Sequence, residues 1–340
     1  AGTVARDGLL GLRPPRSHRR RTRWRMAIPV VALLLVATAT LTGGAASPPS
    51  PAYPSGPLPI ATGERDTVYY QYGLALRDAI RLSMPEMDPY LPVSPSGRYN
   101  LEQTADGKAQ LAFASADTVS SLSTSRTDRL ATLARLYDDY LHLVVRRGES
   151  DPIKTLPDLR GKRVSIGLPD SGTERTALQL MRVAKLDAGT VAVRRMDFDR
   201  SSTALRERKI DAFFFFGGLP TEPLGTLNKI VPIQLIDLGG WMHGLSGHGD
   251  YYTRLTIPSS TYGLGVNAVT TVGVPNFLVV PIDMDPDLAY ALTELLFTYR
   301  EEMARTHAVV GRLDRRAAIT TPKPLRLHPG AMAYYRDTQI

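Results

Sequence analysis

The 340-residue chain contains no cysteine, which excludes disulfides, a thiol nucleophile, thiolate metal sites and a lipid-modified cysteine anchor. A chain of this length buries most of its apolar surface in ordinary cores, so an exported protein of this size needs no disulfide staple. Charge is absent from residues 26–46, which hold no Asp, Glu, Lys or Arg. The six histidines form no H-E-x-x-H pair, and no G-x-S-x-G elbow or P-loop is present. His243, His248 and Asp250, in W-M-H-G-L-S-G-H-G-D, are the one set able to close on a metal, and the same glycine-rich stretch reads otherwise as a loop at the mouth of a cleft. With no catalytic apparatus visible, the sequence reads as a binding protein rather than an enzyme, with no cofactor and no metal.

What is present begins with arginine. Residues 1–25 hold eight arginines and one acid, so +7 of the formal net charge of +8 sits in this segment and about +1 remains for the rest of the chain. A nearly neutral body has no long-range field for a polyanion, which argues against a nucleic-acid partner. An arginine-rich segment, an apolar run from Met26 to about Leu41 and the small residues Gly43 to Ala46 have the order of an export signal. The alternative is an uncleaved N-terminal membrane anchor over 1–46; in both cases the positive-inside rule places the body outside the cytoplasm, free or held at the outer face of the membrane.

Six prolines between Ser47 and Pro59 suit an extended spacer, taken as a linker over 47–57. Beyond it, apolar runs alternate with helical patterns, which predicts a mostly parallel sheet in an α/β fold. Candidate strands cover 58–62, 91–94, 110–114, 131–136, 141–146, 163–167, 191–196, 212–216, 231–235 and 277–281. Candidate helices cover 68–82, 173–184, 202–208, 222–227 and 286–302, the last with Leu288, Ala291, Leu292, Leu295 and Leu296 at helical spacing. So many strands fit two lobes with a ligand cleft between them: a first lobe from 58–147 and 263–340, and a second from 148–262.

Four strand ends carry chemistry. In V-S-I-G-L-P-D-S-G-T-E-R-T (164–176) a strand turns into a helix at Ser171, Gly172 and Thr173, where unpaired amides and the helix dipole suit an anion. The same residues also read as a capping box of Ser171 or Asp170 with Glu174. In D-A-F-F-F-F-G-G-L-P-T-E-P (211–223), four phenylalanines read as a strand covered on both faces. Gly217, Gly218 and Thr221 then open either a ligand loop or a plain turn. In A-T-G-E-R-D-T-V-Y-Y (61–70), Gly63, Arg65, Thr67 and Tyr69 border a helix start; Arg65 is a candidate carboxylate partner, or part of a solvated turn. Asp117, after the run 110–114, is a helix cap or a ligand contact.

Six stretches together resemble the TAXI family, the solute-binding subunits of TRAP-type transporters: L-H-L-V-V-R (141–146), L-P-D-L-R-G-K-R-V-S-I-G (156–167), P-D-S-G-T-E (169–174), K-I-D-A-F-F (209–214), T-V-G-V-P (271–275) and L-H-P-G-A-M-A-Y-Y (327–335). The resemblance spans about residues 58–337. It implies a type II periplasmic-binding fold that closes on a small organic solute, typically glutamate or a dicarboxylate, and delivers it to a TRAP-type membrane permease. It also implies that Ser171, Gly172, Thr173, Gly217, Gly218, Pro220, Thr221 and Tyr69 face the cleft, and that Asp117 stands for the acid of the family's Q-S-D motif. The chain departs from the family at its first loop, where Thr62-Gly63-Glu64-Arg65-Asp66-Thr67 replaces T-G-S-T-G-G. Two acids there repel a carboxylate and Arg65 attracts one. That altered loop, with a retained anchor, would instead suit a membrane-anchored sensor of the same fold.

Overall fold

The computed structural model describes residues 54–63, 65, 67–187, 189–245, 251–264 and 267–339. Residues 1–46, expected to be an export signal or membrane anchor, and most of the proline-rich spacer lie outside these residues.

Ten strands form one continuous curled sheet: β1 (Gly56–Ala61), β2 (Met87–Tyr90), β3 (Leu111–Ser115), β4 (Leu130–Arg146), β5 (Arg163–Ser165), β6 (Ala192–Arg194), β7 (Ala212–Gly217), β8 (Ile233–Leu235), β9 (Thr253–Ile257) and β10 (Val269–Pro281). The main path runs β2-β1-β3-β10-β4-β7-β5-β6, with β8 on β4 and β9 on β10. Pairing is parallel within β2-β1-β3 and within β7-β5-β6. It is antiparallel wherever β4 or β10 takes part. The sheet is therefore mixed rather than mostly parallel, because β4 and β10 run against each other through its middle and a parallel block hangs from each side.

The runs 131–136 and 141–146 are one strand of 17 residues, and the run 277–281 is the end of a strand of 13. A continuous apolar sequence cannot reveal that a strand passes from one core to another. β4 is buried along its length except at Arg135 and at Asp138, Asp139 and Tyr140. Pro275, which has no N–H to give, sits on β10 opposite Asp138, next to the register shift at Asn276 and Phe277, where a proline is tolerated inside a sheet. The run 91–94 is not a strand; its place at the sheet edge is taken by β2.

Two groups of core side chains flank this crossing. One joins Leu58 to Tyr137 with Leu278 to Tyr335, and a smaller cluster joins Ala61 to Leu130 with Val274 to Val279 and Leu325. The other lies wholly between Leu141 and Val272 and has Val144, Phe213 and Leu224 on its second face. The architecture is the expected two-lobed type II periplasmic-binding fold.

Helices cover these cores for local reasons. Helix Val68–Ser83 starts at Thr67, whose side chain accepts from the Tyr70 amide at 3.3 Å, and it buries Tyr72, Ala75, Leu76, Ala79 and Ile80 at helical spacing. The expected helix 286–302 divides at Tyr299 into Pro286–Thr298 and Arg300–Thr306. Asp285 caps the first of these, accepting from the amides of Asp287 and Leu288 at 3.0 and 2.9 Å. The helix expected at 202–208 begins earlier, at Phe198, because Asp197 accepts from the Arg200 amide and sets its start.

Candidate functional site

The register places the site. β3 ends at Ser115, which pairs with Asn276, and Asn276 pairs with Tyr137. β7 ends at Gly217, which pairs with Tyr140, and Tyr140 pairs with Gly273. The C-terminal ends of the two parallel blocks thus face each other across three residues of β4 and of β10, about 10 Å at strand rise. Loops and helix N-termini from both lobes converge there, where open α/β sheets hold ligands.

On the first lobe, the Tyr69 hydroxyl donates a short hydrogen bond to Asn276 Oδ1. Asn276 Nδ2 in turn donates to Asp139 Oδ2 at 2.9 Å. Burial pushes the Asp139 carboxyl up to about 7; the Asn276 hydrogen bond opposes this, and Asp138 and Asp117 add to it. Burial also raises the Tyr69 phenol well above its ordinary value, with Asp139 and Asp117 contributing. Behind them Tyr137 is buried, and its hydroxyl has no hydrogen-bond partner among the described residues.

Asp117 is neither solvated nor a cap. It lies in the first turn of Ala116–Ser120, whose N-cap is Ser115, and is buried. Its Oδ1 accepts from Ser115 Oγ at 2.5 Å and its Oδ2 from Arg175 Nη2 at 2.6 Å.

Arg175 belongs to the second lobe, on helix Gly172–Val183. Ser171 caps that helix, accepting from the Glu174 amide at 3.1 Å, and Glu174 Oε2 accepts from the Asp170 amide at 2.7 Å. Ser171 therefore caps the helix as expected, while Glu174 reaches the Asp170 amide rather than that of the cap residue, so the capping box is only half formed. The helix end lies beside Asp117, where a β-carbon on Gly172 would stand 3.1 Å from Asp117 Oδ2. Gly167, at φ +90°, brings the chain against Thr173, leaving only 2.8 Å between a β-carbon there and Thr173 Cβ. Tyr252 closes one side, its hydroxyl 3.0 Å from Thr176 Oγ1, and packs against the first lobe together with Phe216 and Tyr251.

The loop of Gly217, Gly218 and Thr221 is fixed by a separate network. Thr221 Oγ1 donates to the Gly218 carbonyl at 2.7 Å, and its amide donates to the Tyr262 hydroxyl at 3.2 Å. That hydroxyl lies 2.9 Å from His142 Nε2, while Nδ1 lies 2.8 Å from the Tyr140 carbonyl. A carbonyl can only accept, so Nδ1 carries the hydrogen and Nε2 accepts from Tyr262. Burial keeps this imidazole neutral, pushing its pKa down to about 4. Gly218 itself faces Val309, and Arg312 donates to the Leu219 carbonyl at 3.1 Å, so this loop touches the other lobe away from Asp117.

Gly63 and Thr67 lie together at the start of helix Val68–Ser83, where a Gly63 β-carbon would come within 2.8 Å of Thr67 Oγ1. Arg65 is exposed, with its guanidinium 5.9 Å from the Tyr70 ring centroid, and is not part of the Asp117 cluster. His243 is exposed and 2.9 Å from the Gly240 carbonyl; His248 and Asp250 lie outside the described residues. Sequence reasoning missed Asp139, Arg175, Tyr252 and Asn276. The signal for Asp139 was there, an acidic pair inside L-A-R-L-Y-D-D-Y-L-H-L-V-V, since a strand buried on both faces excludes charge unless the site uses it.

Among solved structures, a protein of Bordetella bronchiseptica RB50 matches with a TM-score of 0.52 at 16% identity, over 84% of this chain and 98% of its own. The periplasmic aliphatic sulphonate binding protein SsuA of Escherichia coli matches at 0.45 and 14% identity, over 84% of each chain. The arginine-binding protein ArgBP of T. maritima, as its P235GK mutant, matches at 0.46 and 11% identity, over 76% of this chain and 95% of its own. Identities this low speak to fold alone. A profile of the NMT1-like family matches residues 60–338, most of the chain and both lobes, and the chain belongs to that family.

Proposed function

We propose that this chain is an extracytoplasmic solute-binding protein that closes two lobes, residues 54–139 with 274–339 and residues 140–273, around a small organic solute. The observation that carries this reading is the opposition of the two sets of strand C-termini across Tyr137–Tyr140 and Gly273–Asn276. One lobe contributes Tyr69, Asp117 and Asn276 to that space, and the other contributes the helix end at Ser171, Gly172 and Thr173. The resemblance to TAXI proteins supports delivery of the solute to a TRAP-type permease. The guanidinium of Arg175 and the amides at the helix end favour a solute bearing a carboxylate. Among the described residues no helix is long and apolar enough to cross a membrane, and no His, Asp and Glu group is placed to hold a metal.

A thermal-shift screen of organic acids and amino acids tests the reading. A ligand that binds only the folded chain must raise its apparent stability, by about 2.7 kcal/mol at a hundred times its Kd. At least one small carboxylate is expected to do so with one-to-one stoichiometry in calorimetry. A screen in which no solute shifts the transition overturns it.

A further inference from the structure

Asp117 and Arg175 come from different lobes, and their contact is built rather than incidental. The Asp117 side chain is 3% exposed and that of Arg175 31%. Each is held in place by its own lobe. Ser115 Oγ fixes one Asp117 oxygen at 2.5 Å. Arg175 Nη1 donates to the Asp170 carbonyl at 2.8 Å, and Nη2 reaches across to Thr118 Oγ1 at 3.3 Å as well as to Asp117. The absent side chain of Gly172 lets the carboxylate approach to where a β-carbon would leave only 3.1 Å. Asp117 therefore lies at the end of helix Gly172–Val183 and on its arginine, in the position where a bound anion would be placed.

We infer that the Asp117–Arg175 ion pair is an intramolecular latch that holds the lobes closed without solute, with Asp117 standing in for the solute's carboxylate. Its role in competing with a solute rests on the proposed function; closure itself does not. Removing either partner strips the counter-ion from the charge that remains in the closed form, most severely for Asp117 at 3% exposed, since Arg175 at 31% keeps its bonds to the Asp170 carbonyl and Thr118. Opening returns the remaining charge to water, so the closed-to-open ratio falls, by about tenfold or more.

The absence of native cysteine allows two spin labels to be placed without background. Tyr99→Cys on the first lobe and Leu178→Cys on the second are 41% and 36% exposed. Pulsed electron resonance on the ligand-free full chain should give mainly one short distance. Asp117→Asn and Arg175→Gln should each move much of the population to longer distances, and the exchanged pair Asp117→Arg with Arg175→Asp should restore the short one. Should Asp117→Asn fail to fold by circular dichroism, Arg175→Gln gives the same readout from the more exposed partner. Variants that fold and keep the parental distance distribution overturn the latch. Succinate serves as the probe for competition: tighter binding by Asp117→Asn than by the parent supports it, and equal binding contradicts it. If no carboxylate binds either form, the solute reading fails while the distance result still decides the latch.

Discussion

Asp139 accepts a 2.9 Å hydrogen bond from the Asn276 side chain, and the two residues lie on neighbouring antiparallel strands at the point where both pass from one lobe to the other. The carboxyl sits among Asp138, Asp117, Tyr69 and Tyr137, and burial keeps it protonated up to about 7 against an ordinary 3.8. Between those values the folded chain holds more protons than the unfolded chain, so this group's contribution to stability falls as pH rises.

His142 acts in the opposite sense. Its folded pKa is lowered to about 4 from 6.5, so the unfolded chain binds the extra proton and stability rises with pH between those values. The two slopes oppose each other over the same interval. We expect Asp139→Asn to steepen the rise in Tm between pH 4 and 6.5 and to stabilise the chain at pH 8 by about 1–3 kcal/mol, discounted because Asp139 keeps part of its surface. His142→Gln should give a Tm that falls across the interval. Parallel pH profiles for parent and both variants would contradict the assignment.

Gly330 marks a contact between helices. A β-carbon there would lie 2.1 Å from the Pro286 carbonyl oxygen and 2.8 Å from the Tyr290 amide, both backbone atoms. Helix Pro329–Asp337 must move off helix Pro286–Thr298 to accommodate it, and Gly330→Ala should cost about 3 kcal/mol or more in denaturant unfolding.

Gly167 should report on the site rather than on the core. Alanine there meets Thr173 and Ser171 at 2.8 and 2.9 Å on a backbone at φ +90°. Gly167→Ala is expected to lower stability by about 1–3 kcal/mol. It should weaken solute binding through the displaced turn, as should Thr173→Ala with little change in Tm, both read by calorimetry on the solute identified by the screen.

Phe213 and Phe214 are consecutive on β7, yet each is buried on its own face of the sheet, one beside Val144 and Leu224 and the other beside Leu141 and Ile166. Each Phe→Leu substitution should cost about 1–2 kcal/mol, and the double variant close to their sum, because the two cavities share no wall. A strongly non-additive pair in urea unfolding would show that the two clusters behave as one.

The Phe213 to Phe216 run was legible as a strand covered on both faces because four apolar residues in succession leave no polar face. The helix from Val68 and the helix after Ser171 were legible because cap residue, first turn and apolar spacing agree. β9, the helix Gly97–Ala105 and the edge strand β2 were not, since short or half-exposed segments carry a weak period.

By itself the sequence determined the α/β class, the elements with strong periodicity, the glycine and serine turn at 167–173 and the concentration of positive charge before residue 26. These are local properties, set by side-chain spacing and backbone freedom within one turn or strand. Only the tertiary structure decided that two long antiparallel strands join the lobes, that Asp117 meets Arg175 rather than capping a helix, and that Asp139, Asn276 and Tyr69 form one chain of hydrogen bonds. Those relations link residues 58 to 207 positions apart, and a period of 2 or 3.6 carries no information about which distant residue will lie opposite.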